Sequence, residues 1–198
     1  MLFVKNLSYG PVDNPLLHSN LSFELKPGEV LHIKGSNGAG KSLLAKTILG
    51  ISPLHSGSIE NSFTNTRYLS QMQNRATHLP YSLFDVLCLG EKYSSWQKIG
   101  LLEEKHLSFS WNKASGGERQ RTLLTRFFLQ KGELLILDEP FNHLDNLSRE
   151  KVCTLLKNIL EKSPTSAILL ISHNDNPSSW LQNIPVHTLN LDLVGAKI

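Results

Sequence analysis

Apolar positions divide the chain into stretches of strand and helix period. Met1 to Lys5 and Leu21 to Leu25 predict two short strands, the second alternating Leu21, Phe23, Leu25 before a Pro27-Gly28 turn. Val30 to Lys34 predicts a third strand. A glycine-rich loop follows and opens into Lys41 to Leu49, where Leu43, Leu44, Ile48 and Leu49 recur at helical spacing. Gly50 suits the end of that helix, and Pro53 and Gly57 turn the chain toward strand-like pieces at Ser58 to Ile59 and Arg67 to Ser70. From about 74 to 113 the texture changes. Leu83, Val86, Leu87 and Leu89 predict a short helix, broken up by Pro80, Gly90 and Gly100, so this stretch reads as a small helical insertion. A helix runs from after Gly117 to about Gln130, and Glu133 to Leu137 is the uninterrupted apolar run of a strand buried on both faces. Asn146 or Ser148 caps a helix to Lys162, with Val152, Leu155, Leu156, Ile159 and Leu160 on one face. Ala167 to Ser172 is the next buried strand, and a helix over Asp175 to Gln182 and an edge strand over Val186 to Leu191 complete the series. The alternation predicts an α/β fold: a mainly parallel sheet, an antiparallel β part at the N-terminus and the helical insertion, in one domain over 1–198.

Composition narrows the class. At 198 residues, 40% hydrophobic and 19% charged, the chain reads as globular, which excludes disordered, collagen-like and low-complexity classes. Its longest apolar runs, such as Ala167 to Ile171, fall far short of the ~20 residues a bilayer span needs, and Met1 to Asn6 lacks a secretory pattern, so a cytosolic protein is expected. Cys88 and Cys153 show neither CxxC spacing nor clustered histidines and read as reduced core thiols. The net charge of +3 is scattered, so no nucleic-acid partner is expected.

Three motifs carry chemistry. Gly35-Ser36-Asn37-Gly38-Ala39-Gly40-Lys41-Ser42 fits G-x-x-x-x-G-K-[ST] between a predicted strand and a predicted helix. Small residues let backbone N–H groups turn toward phosphates, the helix start adds its positive end, Lys41 adds a point charge and Ser42 a hydroxyl for Mg²⁺. Leu134 to Leu137 ends in Asp138 and Glu139, at the strand end where open α/β sheets bind ligands. Asp138 suits a water-mediated Mg²⁺ contact, and Glu139 can reach past the metal to act as general base on an attacking water. Ser115-Gly116-Gly117-Glu118 is a turn heading a helix, a second anion site of backbone donors and positive dipole.

Together these residues resemble the nucleotide-binding domain of ATP-binding cassette (ABC) proteins over nearly the whole chain, which implies a P-loop NTPase core. Tyr9 resembles the aromatic residue that stacks on adenine, although a core position suits it equally. Gln71 in Tyr68-Leu69-Ser70-Gln71 resembles the family's Q-loop glutamine, Asn142 to Asp145 its D-loop and His173 its switch histidine. The resemblance implies ATP with Mg²⁺ as cofactors. Lys41, Gln71, Glu139 and His173 would serve catalysis, with Ser42, Gln71 and Asp138 at the metal. Tyr9, Gly35 to Ser42, Ser115 to Glu118 and Asp145 would hold nucleotide. It further implies a head-to-tail pair of such domains, as homodimer or heterodimer, in which Ser115 to Glu118 of one copy closes over the ATP of the other. Partners would be integral membrane permease subunits, with this chain peripheral on the cytoplasmic face.

The chain departs from the usual Leu-Ser-Gly-Gly-Gln signature at Ala114 and at Glu118, which puts a carboxylate near an anionic nucleotide. Leu43, Phe141 and Asn142 also differ from the commonest residues. Leu79 to Val86, followed by Leu89-Gly90 and with Glu118, resembles ATPases of zinc, manganese and iron-chelate importers. Asp138-Glu139-Pro140-Phe141 and the short length resemble the ATPase of a haem export system. Ser-Gly-Gly-Glu with Asn142-His143-Leu144-Asp145 resembles ribosome-associated cassette proteins, which usually carry two cassettes in one chain. The expected function is therefore the ATP-hydrolysing subunit of a transporter, with metal-ion or metal-chelate uptake favoured.

Overall fold

Parallel pairing on both sides explains the uninterrupted apolar runs. In the computed structural model, which describes residues 1–11, 16–71, 80–89, 95–173 and 175–193, a five-stranded sheet has the order β5-β6-β7-β3-β8. Its members are β3 (Val30–Lys34), β5 (Thr66–Leu69), β6 (Leu134–Asp138), β7 (Ala167–Ile171) and β8 (Val186–Asn190). All four pairings are parallel, with Leu134 beside Ala167 and Val30 beside both Ile168 and Val186. Every residue of β6 and β7 is buried because both sheet faces are covered.

One face, carrying Ile33, Leu134, Ile136, Leu169 and Ile171, packs on α1 (Lys41–Ile48) and on the antiparallel sheet. The other, carrying Val30, Leu135, Leu137, Ile168 and Leu170, packs on α3 (Gly116–Leu129) and α4 (Asn146–Lys162). The antiparallel sheet has the order β2-β1-β4, from β1 (Leu2–Tyr9), β2 (His18–Leu25) and β4 (Ser56–Asn61). Pairing with a neighbour on each side carries β1 past the expected Lys5 to Tyr9. The described part of the insertion holds α2 (Leu83–Leu87), started by a Ser82–Asp85 capping box, and two single 3₁₀ turns over a small cluster of Leu87, Trp96, Leu102 and Leu107. The rest of that expected insertion, residues 74–79 and 90–94 with Leu79 and Gly90, lies outside the described residues.

Two expectations are corrected. The segment Asp175 to Gln182 is no helix but one 3₁₀ turn at Pro177–Ser179. The Asp175 carboxylate is held by Arg149 of α4, which ties the start of the segment to that helix. The α4 cap is Asp145 rather than Asn146 or Ser148, its carboxylate accepting from the Ser148 N–H at 2.7 Å. Of the two thiols, Cys153 is buried, which pushes it up to about 11, whereas Cys88 is half-buried. Ile136, wholly enclosed between α1 and the sheets, tests this packing. Ile136→Ala is expected to cost about 2–5 kcal/mol, read as a lower urea midpoint at unchanged m-value.

Candidate functional site

Because β3, β5, β6 and β7 all run the same way, their C-terminal ends meet at one edge of the sheet. Gly35 to Ser42 leaves β3, Gln71 follows β5, Asp138 ends β6 and His173 follows β7. A cleft of about 460 Å³ opens there, lined by Pro11, Leu17, Asn37, Gly38, Gly40, Lys41, Ser42, Leu43, Gln71, Asp138 and Glu139. A larger cleft of about 680 Å³ lies at the opposite, N-terminal strand ends beside Gly132, Glu133 and Ser166, and none of the motif residues lines it. Gly40 caps α1 at φ +86°, the left-handed region that favours glycine, and a Cβ there would also crowd the tip of Leu17, 2.4 Å from Cδ2. Lys41 is buried, its ammonium donating to the carbonyls of Gly35 at 2.7 Å and Ser36 at 2.9 Å.

Burial dominates Asp138 and raises its pKa, against the pull of the Ser42 and Tyr68 hydroxyls and of the Lys41 charge. Tyr68 donates to Oδ2 at 3.3 Å, while Oδ1 is buried with no hydrogen-bond partner. An unsatisfied carboxylate oxygen beside a serine hydroxyl and a glutamine is a hard-oxygen donor set with room for a small divalent cation. Among the described residues no group of three or more His, Cys, Asp or Glu forms a closed metal cage. Mg²⁺ needs none, since it keeps waters and binds phosphates.

Glu139 sits in the left-handed region at φ +51°, held by its N–H to the Ile171 carbonyl at 2.9 Å. That conformation is strained for a residue with a Cβ, and such strain gathers at functional sites. Its buried carboxylate is 3.1 Å from His173 Nδ1. Behind His173, His32 Nε2 lies 2.8 Å from the Ser172 hydroxyl, and burial pushes His32 down to about 4, so it stays neutral. His32 was hidden in the sequence as one polar residue in a strand; only the β3–β7 register places it against Ser172.

A description of the ABC transporter family matches residues 18–142. The chain belongs to the ABC transporter family. The zinc import ATP-binding protein ZnuC 1 of Aliivibrio fischeri is 35% identical over 160 residues, which are 78% of this chain and 62% of that protein, so the chain spans less than two thirds of this relative. The cytochrome c biogenesis ATP-binding export protein CcmA of Legionella pneumophila is 33% identical over 193 residues, 89% of this chain and 94% of that protein. A solved ATP-binding subunit of an ABC transporter superposes with TM-score 0.76 at 25% identity, covering 100% of this chain and 89% of its own. The fold is that of an ABC-type P-loop ATPase.

Other residues expected at the ABC site lie elsewhere. Tyr9 does not face the cleft: its ring is fully buried and stacked on His18, whose Nε2 donates to the Ala39 carbonyl at 2.8 Å. The pair braces the phosphate loop through that bond, and among the described residues the apolar side chains at the cleft are Pro11, Leu17 and Leu43. Ser115, Gly116, Gly117, Glu118 and Asp145 are not among the described residues lining the cleft. Ser115 caps α3, and Glu118 turns back to accept from the Ser115 N–H at 2.7 Å and from its hydroxyl at 2.8 Å. These bonds hold the Glu118 carboxyl below its ordinary range, so the carboxylate occupies its own helix start rather than projecting freely. Asp145 also contacts Arg121 of α3, at 3.4 Å. A Cβ on Gly117 would meet the His143 carbonyl at 2.9 Å, so the glycine turn lets the 142–145 loop rest on it.

The raised Asp138 carboxyl has a consequence for stability. The folded chain keeps that proton to higher pH than the unfolded chain, so stability falls as pH rises from the unfolded value through the folded one. Without nucleotide or metal, Asp138→Asn is expected to raise Tm by roughly 2–4 °C at pH 7, the response to about 1 kcal/mol in a chain of this size, and to remove that part of the pH dependence. Calorimetric melts from pH 4 to 8 check both.

Proposed function

We propose that the chain binds ATP with Mg²⁺ in the cleft at the strand ends and hydrolyses it, as the energy-supplying subunit of a transporter whose channel lies in separate membrane subunits. The convergence of the Gly35 to Ser42 loop, the orphaned oxygen of Asp138 and the Glu139–His173 pair from strands far apart in sequence carries this reading. The loop's N–H groups and the start of α1 receive the phosphates. Lys41 exchanges its loop carbonyls for phosphate oxygens. Ser42, Asp138 and Gln71 would hold Mg²⁺, which neutralises phosphate charge when bound. Glu139 accepts a proton from the attacking water, and His173 fixes the orientation of that carboxylate through Nδ1, which leaves its other ring nitrogen for a phosphate oxygen.

The Ser115 to Glu118 turn lies outside this cleft, which supports a closed pair: a second copy, or a related cassette, brings its turn over the nucleotide. ATP then favours closure because the added donors touch it only in the closed state. Ser115 must release its hydrogen bonds to Glu118 to take part. Around the insertion, Tyr81, Phe84 and Phe109 are exposed on adjoining segments, joined by the Leu83 N–H to Phe109 carbonyl bond at 2.9 Å. An apolar patch of this kind supports docking on a membrane subunit from the cytoplasmic face. Among the described residues no helix is long and apolar enough to cross a membrane. Likeness to a zinc import ATP-binding protein supports metal-ion or metal-chelate uptake. Export is the second reading, supported by the 94% length match to the cytochrome c biogenesis relative.

Glu139→Gln is expected to keep ATP affinity and lose turnover by roughly 10²- to 10⁴-fold, with closed dimers accumulating in size-exclusion chromatography; near-normal turnover moves the base elsewhere. Lys41→Ala is expected to weaken ATP affinity and turnover together, by calorimetry and phosphate release. The tagged chain should co-purify with an integral membrane protein, whereas recovery with ribosomal RNA would support a soluble role.

A further inference from the structure

The last strand reaches back to the phosphate loop. β8 runs beside β3 with Asn190 paired to Lys34, and the Leu191 N–H donates to the Lys34 carbonyl at 2.9 Å. With Leu191 buried, the next side chain, Asp192, is set against the loop's first residues. The Ser36 N–H donates to Asp192 Oδ2 at 2.9 Å, and the Ser36 hydroxyl donates to Oδ1 at 2.8 Å. Asp192 in turn leaves a closed turn: its own N–H donates to Asn190 Oδ1 at 3.1 Å. The Ser36 bonds hold the Asp192 carboxyl below its ordinary range, with smaller help from Lys41 and His18.

The geometry has a direction. Neither Ser36 nor Asp192 lines the cleft, so the carboxylate grips the loop from outside it. The Ser36 N–H and the Gly35 carbonyl belong to one planar trans peptide and point opposite ways. Asp192 holds the N–H side of that plane, and on the other side the Gly35 carbonyl accepts from Lys41 Nζ at 2.7 Å. Fixing one side of a rigid plane fixes the other, and with it the resting place of the Lys41 ammonium.

We propose that Asp192 is a positioning residue for nucleotide binding: by clamping the Gly35–Ser36 peptide it presets the phosphate loop and Lys41 for the phosphates. The proposal rests on the reading that this loop holds ATP. It differs in sign from simple electrostatics, in which an extra carboxylate near the loop repels nucleotide.

The test uses the full chain, with ADP and ATP dissociation constants from calorimetry, KM and kcat from phosphate release, and nucleotide-free melting. Asp192→Ala is expected to weaken ADP and ATP alike by roughly tenfold, the loss of a charge-assisted bond, raising KM while kcat at saturation and the nucleotide-free Tm stay near wild type. Asp192→Asn, which keeps one acceptor oxygen, should lose less in the same direction. Affinity that is unchanged or tighter in either variant overturns the clamp, as does a loss that merely follows a lowered Tm. A wild-type chain that binds no ADP overturns the nucleotide reading itself, and the clamp with it.

Discussion

Parallel pairing is the constraint from which the rest follows. A strand that must run beside its neighbour in the same direction has to return across the sheet, so every crossover leaves from the same edge. In this chain that edge receives the ends of β3, β5, β6 and β7, and with them a phosphate loop, an amide, two carboxylates and an imidazole that are far apart in sequence. Burial on both faces makes the platform rigid, which is what a site on loops requires. The antiparallel sheet and α1 cover one face, and α3 and α4 the other.

The same edge is where the fold leaves its interactions incomplete. Asp138 carries a buried oxygen with no partner, and Glu139 is held at a positive φ by the Ile171 carbonyl. Both cost stability in the empty chain, and both place a charged oxygen where solvent would otherwise satisfy it. Around them the anion-seeking groups are locally satisfied. Lys41 rests on the carbonyls of its own loop, and Ser115 on Glu118. An incoming phosphate exchanges some of these contacts rather than filling bare donors, so binding and rearrangement are one event.

The loop motif, the acidic strand end, the capped Ser-Gly-Gly turn and the strand–helix alternation were all legible in the sequence. Each is local: short spacing sets backbone geometry, and apolar runs report burial on both faces. The five strands of the parallel sheet and all four described α-helices stand close to where periodicity predicts them. Local reasoning failed where a residue's role depends on what lies across from it. The helix expected at Asp175 to Gln182 gives way to one turn, its start tied to α4 by the Arg149–Asp175 contact. Tyr9 could not be assigned between a ligand face and the core, and packing against His18 puts it in the core.

Residue type and spacing along the chain determined the chemistry on offer here, because phosphate cradles and helix caps form within a few consecutive residues. Which of these groups meet was decided in three dimensions. His32 reaches Ser172, and Asp192 reaches Ser36, only through the register of parallel strands, and no short-range pattern encodes contacts across 140 and 156 residues.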